Sequence, residues 1–260
     1  MDKSSLIGII LGILAVGVGM VLKGVGLGAL INPAAIIIIL VGTVASVMIA
    51  FPTSTLKKIP ALFKILFTDK QEQSVEDLIH QFSDMADIAR KEGILSLEPK
   101  IESMNDPFLA SGIQLAVDGQ TPEFIRDVML EKIEAMESRH QEGAAIFSQA
   151  GTYAPTLGVL GAVIGLIAAL ADMADITALG KAISAAFVAT LLGIFTGYVL
   201  WHPFANKLKQ KSKKEVEIKE IIIEGVVSIT AGESAKVVQD KLGSYLTTKE
   251  LTRMKEQKDA

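Results

Sequence analysis

Gly143-Ala-Ala-Ile-Phe-Ser-Gln-Ala-Gly-Thr-Tyr-Ala-Pro-Thr-Leu-Gly-Val-Leu-Gly-Ala-Val-Ile-Gly-Leu-Ile-Ala-Ala-Leu-Ala171 runs for 29 residues without an Asp, Glu, Lys or Arg. A helix rising about 1.5 Å per residue crosses a hydrocarbon core of roughly 30 Å in ~20 residues. This stretch is therefore long enough for one span. Three more charge-free stretches share the property: Ser4–Leu22, Gly24–Leu56 and Ala182–Asn206, of 19, 33 and 25 residues. A helix satisfies its own backbone polar groups in lipid. The pattern predicts an all-α membrane protein with four transmembrane helices.

Polar sequence separates and follows the two pairs. Lys57–Glu142 holds 10 Lys+Arg and 17 Asp+Glu, and His202–Ala260 holds 12 and 9. The expected organisation is spans one and two within 1–56, a helical cytoplasmic domain over 57–142, spans three and four within 143–206, and a cytoplasmic tail over 207–260. Orientation follows from basic residues at the span ends. Lys57, Lys58 and Lys64 follow span two, and Lys207, Lys209, Lys211, Lys213 and Lys214 follow span four. The short loops hold only Lys23 in one case and Asp172, Asp175 and Lys181 in the other. Both large polar parts and both termini are therefore expected in the cytoplasm. A cleavable signal peptide is the competing reading of residues 1–30. The single acid and base ahead of it, the long apolar run and the lack of a clear small-x-small site argue against it.

The 260 residues are 50% hydrophobic with a mean hydropathy of +0.44, which argues against a single soluble globule and against disorder. There is no cysteine, so disulfides and thiolate metal or redox chemistry are out. A net charge of −4 speaks against a general nucleic-acid binder. No phosphate-cradling GxxxxGK[ST], HExxH or G-x-S-x-G occurs, and His80, His140 and His202 lack ligand-like spacing. Neither an enzyme nor a metal centre or cofactor is expected.

Small residues stripe the second pair of spans. Gly158, Gly161 and Gly165 share a face in span three, with Gly161 and Gly165 as a GxxxG pair. Ala182, Ala186, Ala189, Gly193 and Gly197 repeat in span four, and Gly8 and Gly12 in span one. Such stripes let helix backbones approach closely. Pro155 lies inside span three and is expected to kink it, as a static bend or as a hinge. Pro203 is expected to end span four. Thr152, Thr156, Thr190 and Thr196 are the main polar side chains here. Each either bonds its own helix or, as for Thr190 at the depth of Ala162, lines a narrow aqueous path. No span contains an acid, lysine or arginine. Ion-coupled membrane proteins place an ionisable group within the membrane. Either another polypeptide brings the titrating carboxylate, or the spans are an anchor.

In the polar parts, Ser74 caps a helix with Asp77 three residues on, and Val75, Leu78, Ile79, Phe82, Met85 and Ile88 form its apolar face up to a stop at Gly93. Thr121-Pro122-Glu123 starts a second helix. Its apolar face is expected from Phe124, Val128, Met129, Ile133 and Met136, and nothing breaks it before Gly143, so it is expected to run into span three. Lys207–Glu224 is expected to continue span four as helix. Asp118-Gly119 and Gly232-Glu233-Ser234 read as turns. Arg90 and Glu98 flank the Gly93 break as opposite charges. By themselves they are a solvated face or a weak internal ion pair.

The chain resembles the MotA family of flagellar stator subunits, within the wider group that includes TolQ and ExbB. The resemblance rests on Asn32-Pro33-Ala34-Ala35, Arg90–Glu98, Asp118-Gly119, Gln149–Gly158, Ala185–Gly197 and Trp201-His-Pro-Phe204. It covers all but about the last fifteen residues. It implies a ring of five subunits in the bacterial inner membrane around a dimer of a second subunit, MotB. That subunit brings a membrane aspartate and a peptidoglycan-anchoring domain. It further implies that ion flow drives rotation against the rotor switch protein FliG, that Arg90 and Glu98 contact this rotor protein, and that Pro155 and Pro203 serve coupling. Sodium-driven relatives usually carry threonine where Ala162 stands; alanine offers sodium no oxygen ligand, so proton coupling is expected. Thr190 matches the other family threonine of the ion path. TolQ and ExbB relatives, which energise other membrane processes, have three spans against the four read here. A secondary transporter is the remaining alternative of another class, weakened because span one lacks the proline and threonines of span three. A passive scaffold for the cytoplasmic helices is the third.

Overall fold

The computed structural model describes residues 3–68, 73–171 and 176–259. Among them no strand occurs. The acids Asp172 and Asp175 of the second short loop lie outside the described residues. Four helical stretches are long and apolar enough to cross a membrane. The chain divides into two compact units, Met1–Asp69 with Arg139–Lys211, and Lys70–Ser138 with Ser212–Ala260.

The first unit holds the apolar helices. α1 (Lys3–Leu22) and α2 (Pro33–Ala50) are the first pair. Asn32 starts α2: its side chain accepts from the Ala35 amide, Pro33 fills the first turn, and its Nδ2 donates to the Ala185 carbonyl at 3.4 Å. Short helices α3 (Thr53–Leu56) and α4 (Ile59–Phe67) follow. The unit also contains span three, in the later part of α8 (Pro122–Leu170), which runs unbroken for 49 residues. α9 (Ile176–Phe195) supplies span four.

The helix of span four runs on past Pro203, as expected for Lys207–Glu224. A π-helical turn, Thr196–Trp201, follows α9, and α10 (His202–Thr230) continues from it with Pro203 in its first turn. The His202 amide bonds the Gly197 carbonyl five residues back. The wider turn shifts the bonding pattern just where proline offers no N–H, so the chain stays helical through it.

Most of the apolar surface of α1 is exposed: Ile7, Leu11 and Leu14 are more than half accessible. In water this would be untenable; in a bilayer it is the lipid- or neighbour-facing surface. An aromatic cluster joins α4 to spans three and four, from residues far apart in sequence. Phe63 and Phe204 meet Phe147 edge-on at 5.2 and 6.2 Å, and Trp201 stacks on Phe147 at 6.2 Å.

The second unit has a conventional aliphatic core. α5 (Val75–Glu92) is capped by the Ser74 hydroxyl, which accepts from the Asp77 amide, and stops at Gly93, whose φ of +88° favours glycine. It buries Leu78, Ile79, Phe82 and Met85. The 3₁₀ turn Ile94–Leu97, α6 (Glu98–Ile101) and α7 (Pro107–Val117) follow. The start of α8 buries Ile125, Met129, Ile133 and Met136. Phe124, expected on this face, is exposed instead. The stripe 125, 129, 133, 136 keeps the helical spacing, and Phe124 sits about 100° around from it. The far part of α10 contributes Ile221, Ile222, Ile223 and Val226. Gly232 turns the chain, Ser234 caps α11 (Ala235–Gly243), and α12 (Thr248–Asp259) closes the sequence.

Candidate functional site

The contact between α8 and α9 is built from residues with almost no side chain. Gly158 faces Gly193: a methyl group on Gly193 would stand 2.8 Å from the Ala154 carbonyl oxygen and from the Gly158 Cα. Both neighbours are backbone and cannot step aside. The small stripe of α9 is thus a close-approach surface at Ala186, Ala189 and Gly193, which are buried. On α8 the tight glycine is Gly158. Gly161 makes only ordinary contacts with Ile38 and Ala189, and Gly165 faces open space. The Gly161–Gly165 pair is therefore not the packing motif, because the helices touch one turn earlier. In span one, Gly12 receives the Val199 side chain, while Gly8 faces open space.

Pro155 lies inside α8 and has no N–H for the Gly151 carbonyl. That oxygen would lie 2.8 Å from a methyl group placed on Gly197, and the Pro155 Cγ 2.7 Å from it. Glycine at 197 thus presents a Cα–H toward the freed carbonyl and makes room for the proline ring. Gly197 belongs to the π turn, whose other end meets Pro203. The two prolines accordingly bracket one irregular stretch: Pro155 packs on its start, and Pro203 follows its end. The His202 ring fills the space beside Gly151.

Ala162 is 8% exposed and packs in a cluster with Ala35, Ile39, Ala154, Ala186 and Ala189. Thr190 is half-buried one position beyond Ala189, and its hydroxyl donates to the Ala186 carbonyl at 3.2 Å. Thr152, Thr156 and Thr196 likewise bond carbonyls of their own helix. Two buried polar atoms have no partner among the described residues, the Thr43 hydroxyl on α2 and the Trp201 indole nitrogen. Neither stood out in the sequence, Thr43 being one hydroxyl in an isoleucine-rich span.

Basic side chains hold the polar end of this unit. Lys58 and Thr55 both donate to Glu142, at 3.0 and 3.2 Å. Lys211 donates to the Ile65 and Thr68 carbonyls and so caps the end of α4. Lys207 donates to the hydroxyls of Ser4 and Ser5 at 3.1 and 2.5 Å.

Arg90 and Glu98 belong to the second unit. Arg90 sits in the last turn of α5 and Glu98 starts α6. Between them the buried Leu97 and the Gly93 turn fix the backbone. Both side chains are exposed, and neither makes an ion pair among the described residues. They are presented to the outside and do not staple the fold. Ion pairs between elements of this unit lie elsewhere, one of them partly buried. Arg126 on α8 donates to Glu224 on α10 at 2.5 Å, with Lys241 on α11 at 4.0 Å from the same carboxylate. The Arg126 hydrogen bond, helped by the charges of Arg126 and Lys241, holds the Glu224 carboxyl below the usual range against its partial burial.

Two family profiles match the chain: Motility protein A N-terminal over residues 6–93, and the MotA/TolQ/ExbB proton channel family over residues 100–221. Motility protein A of Bacillus subtilis (strain 168) is 62% identical over 260 residues, covering 100% of this chain and 96% of the relative. The fold superposes on a chain of the flagellar MotAB stator complex from Bacillus subtilis with a TM-score of 0.92 and 62% identity, covering 97% of this chain and 99% of that one. A chain of MotAB from C. jejuni gives 0.89 at 29% identity, with 95% and 97% covered.

Proposed function

This chain belongs to the MotA/TolQ/ExbB proton channel family, among its motility protein A members, and from that premise we propose how it works with a MotB-type partner to conduct protons and turn the flagellar rotor. It is a membrane-embedded stator subunit and not an enzyme. The match of the Motility protein A N-terminal profile to residues 6–93 supports placing it apart from the TolQ and ExbB branch.

The observation that carries the proposal is the interface of α8 and α9, where Ala154, Gly158, Ala186, Ala189 and Gly193 meet and which, among the described residues, holds no titratable side chain. A proton path along it needs a carboxylate from outside. A MotB-type subunit with one membrane aspartate supplies that group, inside a ring of five copies of this chain in the bacterial inner membrane. Ala162 and Thr190 line the path. The alanine gives sodium no oxygen to replace its water, whereas a proton passes between carboxylate and water. Protonation of the partner's aspartate removes a charge facing these helices. One elementary charge moved across 100 mV is worth about 2.3 kcal/mol, enough to bias a two-state element. The stretch from Pro155 through the π turn to Pro203 is that element. Residues 57–142 and 207–260 lie in the cytoplasm with both termini, where Arg90 and Glu98 meet oppositely charged groups on FliG.

The test is complementation of a strain that lacks its own stator genes. Co-expression with the MotB-type subunit restores swimming in sodium-free medium, with speed following external pH; this chain alone restores none. Speed that follows sodium and ignores pH defeats the proton assignment. Normal swimming without the partner defeats the borrowed carboxylate.

A further inference from the structure

Three helical elements of the first unit meet around two alanines of α8. Ala150 and Ala154 stand one turn apart there, 5% and 0% exposed. Ala154 clusters with Ile39 of α2, and Ala150 with Val47 of the same helix. Thr43 lies between Ile39 and Val47, one turn from each, on the buried stripe of α2. The register agrees. Gly42 lies against Leu157 and Gly161 against Ile38, so α2 and α8 run antiparallel and Thr43 comes level with the turn that holds Ala154. Trp201, the last residue of the π turn, packs on both clusters. Thr43 and Trp201 therefore border the same small volume, whose wall on α8 is two methyl groups.

Both residues bring a buried polar atom to it. The Thr43 hydroxyl and the Trp201 indole N–H have no hydrogen-bond partner among the described residues, and Thr43 is 3% exposed. A helical threonine ordinarily turns its hydroxyl to a carbonyl one turn back, as Thr152, Thr156, Thr190 and Thr196 do. Thr43 does not, so its hydroxyl is turned into the packing. The indole nitrogen only donates, whereas a hydroxyl both accepts and donates. Buried polar groups are costly when unpaired, and internal waters commonly satisfy them. From this arrangement we propose a binding site for one water molecule between α2 and the π turn. The Trp201 Nε1–H donates to the water oxygen, and the water donates one hydrogen to Thr43 Oγ1. Two such bonds in series reach about 5.5 Å where a single one reaches about 3 Å, and alanine at 150 and 154 leaves the room. The water ties α2 to the stretch between Pro155 and Pro203, so the first pair of spans follows any shift of that stretch. The site requires neither the ion path nor the rotor.

Trp201 is the single tryptophan of the chain, so labelling its indole with nitrogen-15 yields one side-chain resonance. The complex of the full labelled chain with an unlabelled MotB-type partner is reconstituted in phosphatidylcholine bilayers and read by proton-detected solid-state NMR. The native chain shows a cross-peak between water and the indole N–H. Thr43→Val, which keeps the shape and removes the hydroxyl, loses that cross-peak. Thr43→Ala repeats the loss and guards against a valine variant that fails to assemble. Thr43→Ser, which restores a hydroxyl, retains the cross-peak. Absence of the cross-peak in the native chain overturns the proposal without recourse to any variant. A cross-peak that survives both Thr43→Val and Thr43→Ala overturns it too, because the indole then meets water that Thr43 does not hold. An indole shift that changes on Thr43→Val with no water cross-peak in the native chain identifies a direct bond between the two side chains and likewise overturns the site. Ion flux and swimming play no part in these readouts, so a failure here leaves the stator assignment standing.

Discussion

α8 is packed in two ways along its length. Near Pro155 it meets α9 through Gly158, Gly193 and Ala189, where backbone touches backbone. Thirty residues earlier it buries Ile125, Met129 and Ile133 among Phe82, Ile113 and Ile222. The difference follows from the solvent. In water, burying a large side chain yields about 1.5–3 kcal/mol, so bulk is favoured. In lipid the surroundings are as apolar as the side chain, and what remains is close van der Waals contact between backbones. The first surface is sensitive to any added atom. The second is sensitive to lost volume, and to added volume only at its few tight points.

Gly193→Val breaks the contrast most severely. Its added atoms meet the Ala154 carbonyl and Gly158 Cα, and the cost exceeds the ~3 kcal/mol of ordinary overpacking because the wall is backbone. Assembly with the partner, read on native gels, and swimming are both lost. Gly165→Val, which faces open space, leaves both near normal. Phe82→Ala follows, at about 3–5 kcal/mol of stability in the second unit, read by chemical denaturation. Gly225→Ala comes next: its methyl would lie 2.5 Å from the Phe82 ring, at a cost of about 1–3 kcal/mol. Phe82→Leu gives that methyl room, so the double variant is less than the sum of the singles.

Glu224→Gln sharpens the comparison from the polar side, at about 1.5–3 kcal/mol near neutral pH for a charged hydrogen bond. Because folding lowers the Glu224 pKa, the unfolded chain binds more protons as pH falls. Its contribution is complete above the ordinary glutamate value of about 4.3 and fades as pH drops through the lower folded value. Denaturation midpoints of wild type and Glu224→Gln therefore converge below about pH 4. The smallest effect on the fold comes from Arg90→Glu with Glu98→Lys. These exposed charges, without an ion-pair partner among the described residues, change stability by less than about 0.5 kcal/mol, while swimming falls sharply if they meet the rotor.

How much of this was legible depended on whether the cause was local. Four gaps in charge gave the helices that cross the membrane, because length and apolarity are properties of the chain itself. Ser74 and Gly93 announced helix ends for the same reason. Pro203 reads as a stop while Lys207–Glu224 reads as helix continuing span four; the π turn that reconciles the two has no sequence signature and was not legible. Phe124 misled because the apolar positions of that helix fit two adjacent registers, and the partner helices choose between them. Gly158 could not be told from Gly161 without knowing where α9 crosses. The cluster of Phe63, Phe147, Phe204 and Trp201 was invisible, since its members are brought together by the fold. Arg90 and Glu98 looked like ordinary surface charges, and the structure leaves them exposed; what marked them was resemblance to a family.

The π turn winds one more residue into Thr196–Trp201 than an α-helix would use. Cutting a single residue there would rewind the stretch as ordinary α-helix and swing everything after it through about 100°. Phe204 and Leu208 would be dialled out of their cluster with Leu66 and Phe147. The position of an entire 29-residue helix face is thus encoded by the count of residues between two prolines, a setting that point substitutions barely touch and that one deleted codon would reset.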